Sequence, residues 1–413
     1  MKIVAFGCGL CGKEFVDYIG KQKEYEIEFF LDNKKRTQAE SKFEGYNIFQ
    51  PSKELCTGKF IIVTAISVYK EIKAQLEEYG LVENVDFINM NKWLCEIGNQ
   101  NLPEKRIWFE DFWGDLDYYS NPFVDILRKY YKIVIDSEDP DYIICSVFGK
   151  KALDYNGIRI IYTGENAVPD FYLYDYVIGF EYLQYEDRYL RYPYWEIANR
   201  NYTEIENDKC TNINMNSFMK RDFCSRVVSN GSGVFREYFF EELNKVKYVA
   251  SGGKYKNNLN PSKPVDNKRE FLKKYKFNLA FENSSSNGYT TEKIFDAWAA
   301  GAIPIYWGDP KIVEDFNEDA FVNCHNFNSM NEAIVYILEL EQDSERLEAM
   351  LRAPIFKNGK PNAKRLDEFF INIFEQKKEN AYRRKGFFSC WKADKCNINQ
   401  LIQNEEWFTY RKK

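Results

Sequence analysis

Residues 276–308 read KFNLAFENSSSNGYTTEKIFDAWAAGAIPIYWG, and the fold turns on how this stretch is parsed. Phe277, Leu279 and Phe281 alternate as the buried side of a strand does. A polar loop, Glu282 to Tyr289, comes next. Ile294, Ala297 and Trp298 then share one helical face, Gly301 suits the helix stop, and AIPIYWG is a second strand. Strand, loop, helix and strand in this order make a parallel α/β unit, whose ligands bind beyond the carboxyl ends of the strands. The expected N-cap is Thr290 or Thr291, and a helix start offers free N–H groups and a positive dipole end to an anion. Lys293 in that first turn is unfavourable beside an empty helix end and favourable beside a bound diphosphate. The alternative is a surface lysine paired with Glu292 or Asp296. On the diphosphate reading, removing Lys293 from the ligand-free protein should cost little stability.

The same alternation extends through the chain. Residues 1–95 form one small Rossmann-like α/β module. Lys2 to Phe6 is a strand, Gly7, Gly9 and Gly12 make a G-x-G-x-x-G loop before a helix, and a second strand ends at Asp32. That is the dinucleotide fingerprint in its proper setting, in a unit short for a complete dinucleotide fold. A nucleotide loop and a degenerate packing module are both open. Tyr69 and Lys73 have Y-x-x-x-K spacing, which chance easily supplies in a chain with 30 tyrosines. Residues 96–105 read as a polar linker. Residues 106–220 and 221–355 each alternate strands with helices, and 356–413 reads as a helical tail. In 106–220 a strand, GIRIIY, ends in Thr163-Gly164-Glu165-Asn166.

Composition excludes several classes. A net charge of −6 argues against a nucleic-acid partner. No run is long enough to span a bilayer. The start, MKIVAFGCGLCG, lacks a basic segment, apolar run and cleavage site, so no signal peptide is expected. The ten cysteines are scattered. Cys8 and Cys11 lie inside the glycine loop, and free thiols in a reducing, cytoplasmic setting are expected. The sequons at Asn201, Asn230 and Asn283 agree with this, because a glycan on Asn283 would obstruct any ligand of the loop. No Walker phosphate loop occurs. The sole histidine, His325, reads as structural, so a carboxylate is the better candidate base, and Glu165 is well placed. Asp115 and Asp117 form a D-x-D, weak as a metal signal in an acidic chain.

The order F-E-N, G-Y-x-T-E-K-I, G-x-I-P-I-Y-W-G and D-F-N, from Phe281 to Asn317, resembles the signature of the inverting α-1,3-fucosyltransferases of bacterial type. YTGENAVPDFYLYDYVIGFEYLQYEDRYLRYPYW resembles their acceptor-side half, and FWGDLDYYSNPFVDIL their beginning. The resemblance covers about 106 to 375 and implies a GT-B architecture, two Rossmann-like domains facing a cleft. It also implies transfer of fucose from GDP-fucose to a GlcNAc- or glucose-containing oligosaccharide or glycolipid acceptor, of N-acetyllactosamine or lactose type. The setting would be protein glycosylation, or lipopolysaccharide or capsule biosynthesis. By resemblance, Glu165 is the general base, Arg236 and Lys293 hold the diphosphate, Tyr289 and Glu292 contact ribose or fucose, and Glu282 and Asn283 line the donor pocket. No cofactor or metal is required, a divalent ion being at most stimulatory, because fixed cations and N–H groups can stabilise the leaving GDP.

Two departures stand out. Many bacterial members carry heptad repeats and a basic amphipathic tail; here the heptads are missing, which leaves homo-oligomerisation and peripheral association with an inner membrane open. Residues 1–95 are extra. A chain beginning near Leu102 is therefore expected to keep some transferase activity. Two rivals remain: a non-catalytic sugar-nucleotide binder, and an NAD-dependent oxidoreductase working through the amino-terminal glycine loop.

Overall fold

The computed structural model describes residues 1–34, 41–98, 100–114, 116–199, 202–211, 213–259 and 263–385. Asp115, Asn201 and the end of the expected tail, 386–413, lie outside the described residues. The chain forms two compact units, Met1–Trp108 with Asp115–Asp141, and Phe109–Gly114 with Tyr142–Lys413.

In the first unit, strands stand in the order Lys42–Phe43, Tyr46–Phe49, Glu26–Leu31, Lys2–Phe6, Ile61–Val63 and Phe87–Asn89. All pair in parallel except the first two, which form an antiparallel hairpin. The continuous apolar run Ile3 to Phe6 is buried on both faces, as a central parallel strand requires. The glycine loop has the expected shape. Gly7 sits at φ +126°, and a Cβ on Gly12 would lie 2.4 Å from the Gly7 carbonyl oxygen, so helix and strand approach as closely as glycine allows. Both Asp32 oxygens accept backbone N–H groups, from Cys8 at 3.2 Å and Lys34 at 2.8 Å. Tyr69 and Lys73 are both engaged by Glu83, which accepts the tyrosine hydroxyl and the ammonium. The Y-x-x-x-K spacing therefore serves a local ion pair.

The helix Met90–Glu96 carries the fully buried Trp93, against whose ring Phe15, Tyr18 and Tyr25 pack edge-on. It also packs on the strand Lys132–Ile135. Arg128 Nη1 donates to Asn91 Oδ1 at 2.9 Å, and the Tyr119 hydroxyl to Glu96 Oε1 at 2.7 Å. This changes the expectation for a chain beginning at Leu102. Truncation there strips the cover from residues 119–135, and each large apolar side chain newly exposed costs roughly 1.5–3 kcal/mol. The shortened chain should melt far below the parent, or without cooperativity, by circular dichroism. A truncated chain that melts and transfers like the parent would show the module to be dispensable.

The second unit holds two parallel arrays. In one, the strands Tyr142–Cys145, Ile158–Tyr162, Tyr176–Gly179 and Tyr189–Arg191 are successive neighbours. Glu110 and Asp111 run beside the first of them, accepting from Ser146 N at 3.2 Å and Phe148 N at 3.1 Å. The other array is Val249–Ser251, Asp222–Arg226, Tyr275–Phe281, Ile303–Trp307 and Val322–Asn323. Tyr275–Phe281 is buried at every residue. Phe277, Leu279 and Phe281 face a cluster with Phe239, Leu243 and Ile337, whereas Ala280 faces Ile294, Phe295 and Trp298. Helices thus cover both faces, as the alternation of strands and helices predicts. The helix Arg365–Glu375 buries Leu366, Phe369, Phe370, Ile373 and Phe374. No described helix is long and apolar enough to cross a membrane, and the eight described cysteines form no disulfide.

Candidate functional site

Two strand-end loops of the second unit meet. The Tyr289 hydroxyl donates to Glu165 Oε2 at 3.3 Å, and Asn166 Nδ2 donates to Ser284 Oγ at 2.9 Å. Tyr289 is buried, and burial together with the Glu282 and Glu165 carboxylates pushes its pKa well up. It therefore remains a hydroxyl donor. Glu165 itself is exposed at the end of its strand. Gly288 makes the approach geometrically feasible. It lies at φ +85°, and a Cβ there would fall 2.2 Å from the Phe180 carbonyl oxygen.

The helix after the donor-side loop runs Lys293–Ala299, with Glu292 at the N-cap and no side-chain cap. Thr290 and Thr291, the expected caps, are instead buried below it. The reason is Glu282. This carboxylate is wholly buried at the end of its strand. Its Oε1 accepts Thr291 N at 2.7 Å and Thr291 Oγ1 at 2.9 Å, and its Oε2 accepts Lys293 Nζ at 2.8 Å. Glu282 thus pins the turn that leads into the helix, while the helix itself has no side-chain cap. It does not line an open pocket wall; it lies beneath Lys293.

Lys293 is also not the surface lysine of the alternative reading. Its side chain is 26% exposed and Glu282 is its close partner, with Glu292 at 3.8 Å. Asp296 pairs with Lys268 instead. Burial alone would lower the lysine pKa, but the Glu282 and Glu292 carboxylates outweigh it and raise it. Burial would likewise raise the Glu292 pKa, and Lys293 and Lys268 overcome this to lower it. Lys293 Nζ donates to Glu282 and, at 2.6 Å, to Thr291 Oγ1, which leaves one of the three N–H directions of an ammonium for a ligand.

Arg236 lies near this point in the first turn of the helix Val234–Val246, behind the loop Ser229–Gly233. Its Nη2 donates to the Asn230 carbonyl at 2.9 Å, and its buried Nε has no hydrogen-bond partner. A Cβ on Gly233 would come within 3.2 Å of both that Nε and Asn283 Cα, so the two loops touch through glycine. Asn283 Oδ1 accepts from Ser284 Oγ at 3.1 Å. Sequence reasoning passed over one neighbour. Arg226, fully buried, stacks 3.4 Å above Phe240 and donates twice to Glu237. His325 stacks on Trp307 and its Nε2 accepts Gly308 N at 3.3 Å. Burial lowers the His325 pKa, in keeping with a structural, neutral imidazole. Gly7, Gly9, Gly12 and Asp32 belong to the first unit.

Residues 107–198 match the model of the α-(1,3)-fucosyltransferase FucT N-terminal domain, and residues 217–352 that of the glycosyltransferase family 10 (fucosyltransferase) C-terminal domain. Residues 1–85 match a C2185-like N-terminal domain. An α-(1,3)-fucosyltransferase FucT of Helicobacter pylori is 34% identical over 344 residues, 71% of this chain and 70% of that protein. A crystal structure of an α1,3-fucosyltransferase with GDP-fucose aligns at TM-score 0.57 and 31% identity, covering 69% of this chain and 96% of the other. Another crystal structure of an α1,3-fucosyltransferase aligns at TM-score 0.60 and 32% identity, covering 70% and 94%. The expected fold is borne out: α/β of GT-B type, with an additional amino-terminal α/β module.

Proposed function

The chain belongs to the α-1,3-fucosyltransferases of glycosyltransferase family 10, and from that premise we propose that it moves fucose from GDP-fucose, with inversion, to O-3 of a GlcNAc or glucose unit in an N-acetyllactosamine- or lactose-type acceptor. The observation that carries this reading is the junction of Glu165 with Tyr289, which sets an exposed carboxylate beside the donor-side loop.

Glu165 accepts the proton of the acceptor hydroxyl as that oxygen bonds to the anomeric carbon of fucose. The bond from that carbon to the β-phosphate oxygen breaks, and GDP leaves with the electron pair. The transition state is oxocarbenium-like, as in glycoside hydrolysis. Tyr289 donates to Glu165 and keeps its carboxylate oriented toward the donor-side loop. The departing charge is met by Lys293 through its free N–H direction, by the guanidinium of Arg236, whose Nε has Glu237 at 3.6 Å but no hydrogen-bond partner, and by the start of the helix Val234–Val246. These groups supply fixed positive charge where a metal would otherwise be needed, so we propose metal-independent transfer. Glu282 positions Lys293 and does not touch the sugar. Glu292 and Asn283 are assigned to the ribose and the donor pocket.

The test is turnover of GDP-fucose with N-acetyllactosamine and with lactose, in chelator, with linkage and anomeric configuration read by NMR. An α-1,3-linked product supports the reading. An unmodified acceptor with intact GDP-fucose binding would favour the sugar-nucleotide binder, and product only with added metal would overturn the metal-independent step.

A further inference from the structure

We propose that Trp113 and Phe148 form the stacking platform for a pyranose ring of the acceptor, an inference that rests on Glu165 being the base. Trp113 is 80% exposed and Phe148 44% exposed, and their rings meet at 5.3 Å with planes tilted by 59°. Two exposed aromatics in contact are unusual only for where they stand. Phe148 comes after the strand Tyr142–Cys145, which is the sheet neighbour of Ile158–Tyr162, the strand that leads into Glu165. Trp113 comes after the backbone at Glu110 and Asp111, on the other side of Tyr142–Cys145. Three adjacent parallel segments therefore end, at their carboxyl edge, in Trp113, Phe148 and Glu165. At about 4.8 Å between strands, the two rings stand roughly one and two strands from the base, within reach of one or two sugar units.

The platform is rigid. Asp111 adopts φ +61°, a conformation costly for a side-chain residue. Its carboxylate fixes it there by accepting Lys151 N at 3.1 Å and Ala152 N at 3.0 Å. A Cβ on Gly149 would strike that carboxylate at 2.0 Å. The turn before Trp113 is thus tied to the turn after Phe148, so the backbone that carries the rings has little entropy left to lose. The surroundings are polar: Lys150 and Lys151 are exposed beside Phe148. Two rings in a polar rim are too small for a protein interface, which needs about 1,000 Å² or more. They suit the apolar C–H face of a pyranose whose hydroxyl edges stay hydrated, which is the division of labour of small-ligand sites.

The experiment uses the full chain loaded with GDP and titrates N-acetyllactosamine by calorimetry, in parallel with steady-state transfer. Trp113→Ala should weaken acceptor binding and raise acceptor KM about tenfold. Phe148→Ala should act less strongly, and Trp113→Phe should keep much of the affinity. GDP affinity and GDP-fucose KM should not move, and exposure of both rings predicts an unchanged melting temperature. Unchanged acceptor affinity in Trp113→Ala overturns the platform while leaving the transferase reading intact. Acceptor bound through Trp113 without any transfer supports the platform and overturns the transferase reading. Intact sugar affinity with altered sedimentation or altered binding to anionic vesicles would overturn the platform in favour of a second copy or a membrane.

Discussion

Glu165→Gln is expected to lower kcat by roughly 10²–10⁴-fold, the usual contribution of a general base, and to leave GDP-fucose KM within a few-fold of the parent. The asymmetry comes from geometry. Glu165 is exposed, and its carboxylate accepts the Tyr289 hydroxyl at 3.3 Å. Glutamine keeps an oxygen for that hydroxyl to donate to, so the two loops stay joined and the melting temperature should not change. What is lost is the capacity to take a proton. Glu165→Asp keeps that capacity but withdraws the carboxylate by one methylene, and should recover only part of the rate. Stopped assays of product with N-acetyllactosamine, beside thermal melts, decide the matter. A glutamine variant that turns over near the parental rate removes Glu165 from the mechanism.

The parts of this protein that were legible in the sequence are those that repeat locally. Alternation in KFNLAF and helical spacing in Ile294, Ala297 and Trp298 required nothing beyond adjacent residues, and the strands and helices lie where those patterns put them. Loops at strand ends then flagged Glu165 and Lys293 without any knowledge of their partners. The partners were not legible, because they are set by register between elements. Lys293 was matched to Glu292 and Asp296 as its sequence neighbours. Glu292 does stand within 3.8 Å, but the hydrogen-bonded partner is Glu282, eleven positions back at the end of a strand, because the helix starts later than the threonines. No local pattern singles out Arg226, yet it is a buried cation held by Glu237 from the next helix. The polar composition of 96–105 read as a boundary. Contacts from Asn91 and Glu96 to Arg128 and Tyr119 tie the amino-terminal module to residues on the far side of that boundary, and composition carries no trace of them. Trp113 looked like any aromatic in a chain rich in them until its exposure and its place beside Phe148 were known.

Lys293→Ala should be damaging twice over, in ways that can be separated. The first loss is structural. Glu282 is wholly buried and Lys293 is the close cation beside it. Breaking a buried pair by deleting one partner costs about 3–5 kcal/mol. Thr291 still donates twice to Glu282, and the lysine is 26% exposed, so about 1–3 kcal/mol is the better expectation. The ligand-free melting temperature should therefore fall by several degrees, contrary to what the helix dipole alone would predict. The sign with pH is fixed by the raised lysine pKa. The pair stabilises fully below the unfolded lysine value, near 10.4, and is lost only as pH rises through the folded one, so the deficit should persist unchanged at neutral pH. The second loss is functional. A charge-assisted contact to phosphate is worth roughly 1.5–3 kcal/mol, so GDP and GDP-fucose should bind about tenfold more weakly or worse, with kcat reduced further as charge grows on the leaving group. Lys293→Arg should rescue only partly, because a planar fork does not replace a compact ammonium. The double variant Glu282→Gln with Lys293→Ala separates the two losses. With no buried carboxylate left uncompensated, it should regain much of the melting temperature, and the coupling is read from a double-mutant cycle. It should regain none of the GDP affinity. If the double variant, or Lys293→Ala itself, binds GDP as the parent does, the lysine is a structural partner of Glu282 alone and the diphosphate must be held elsewhere.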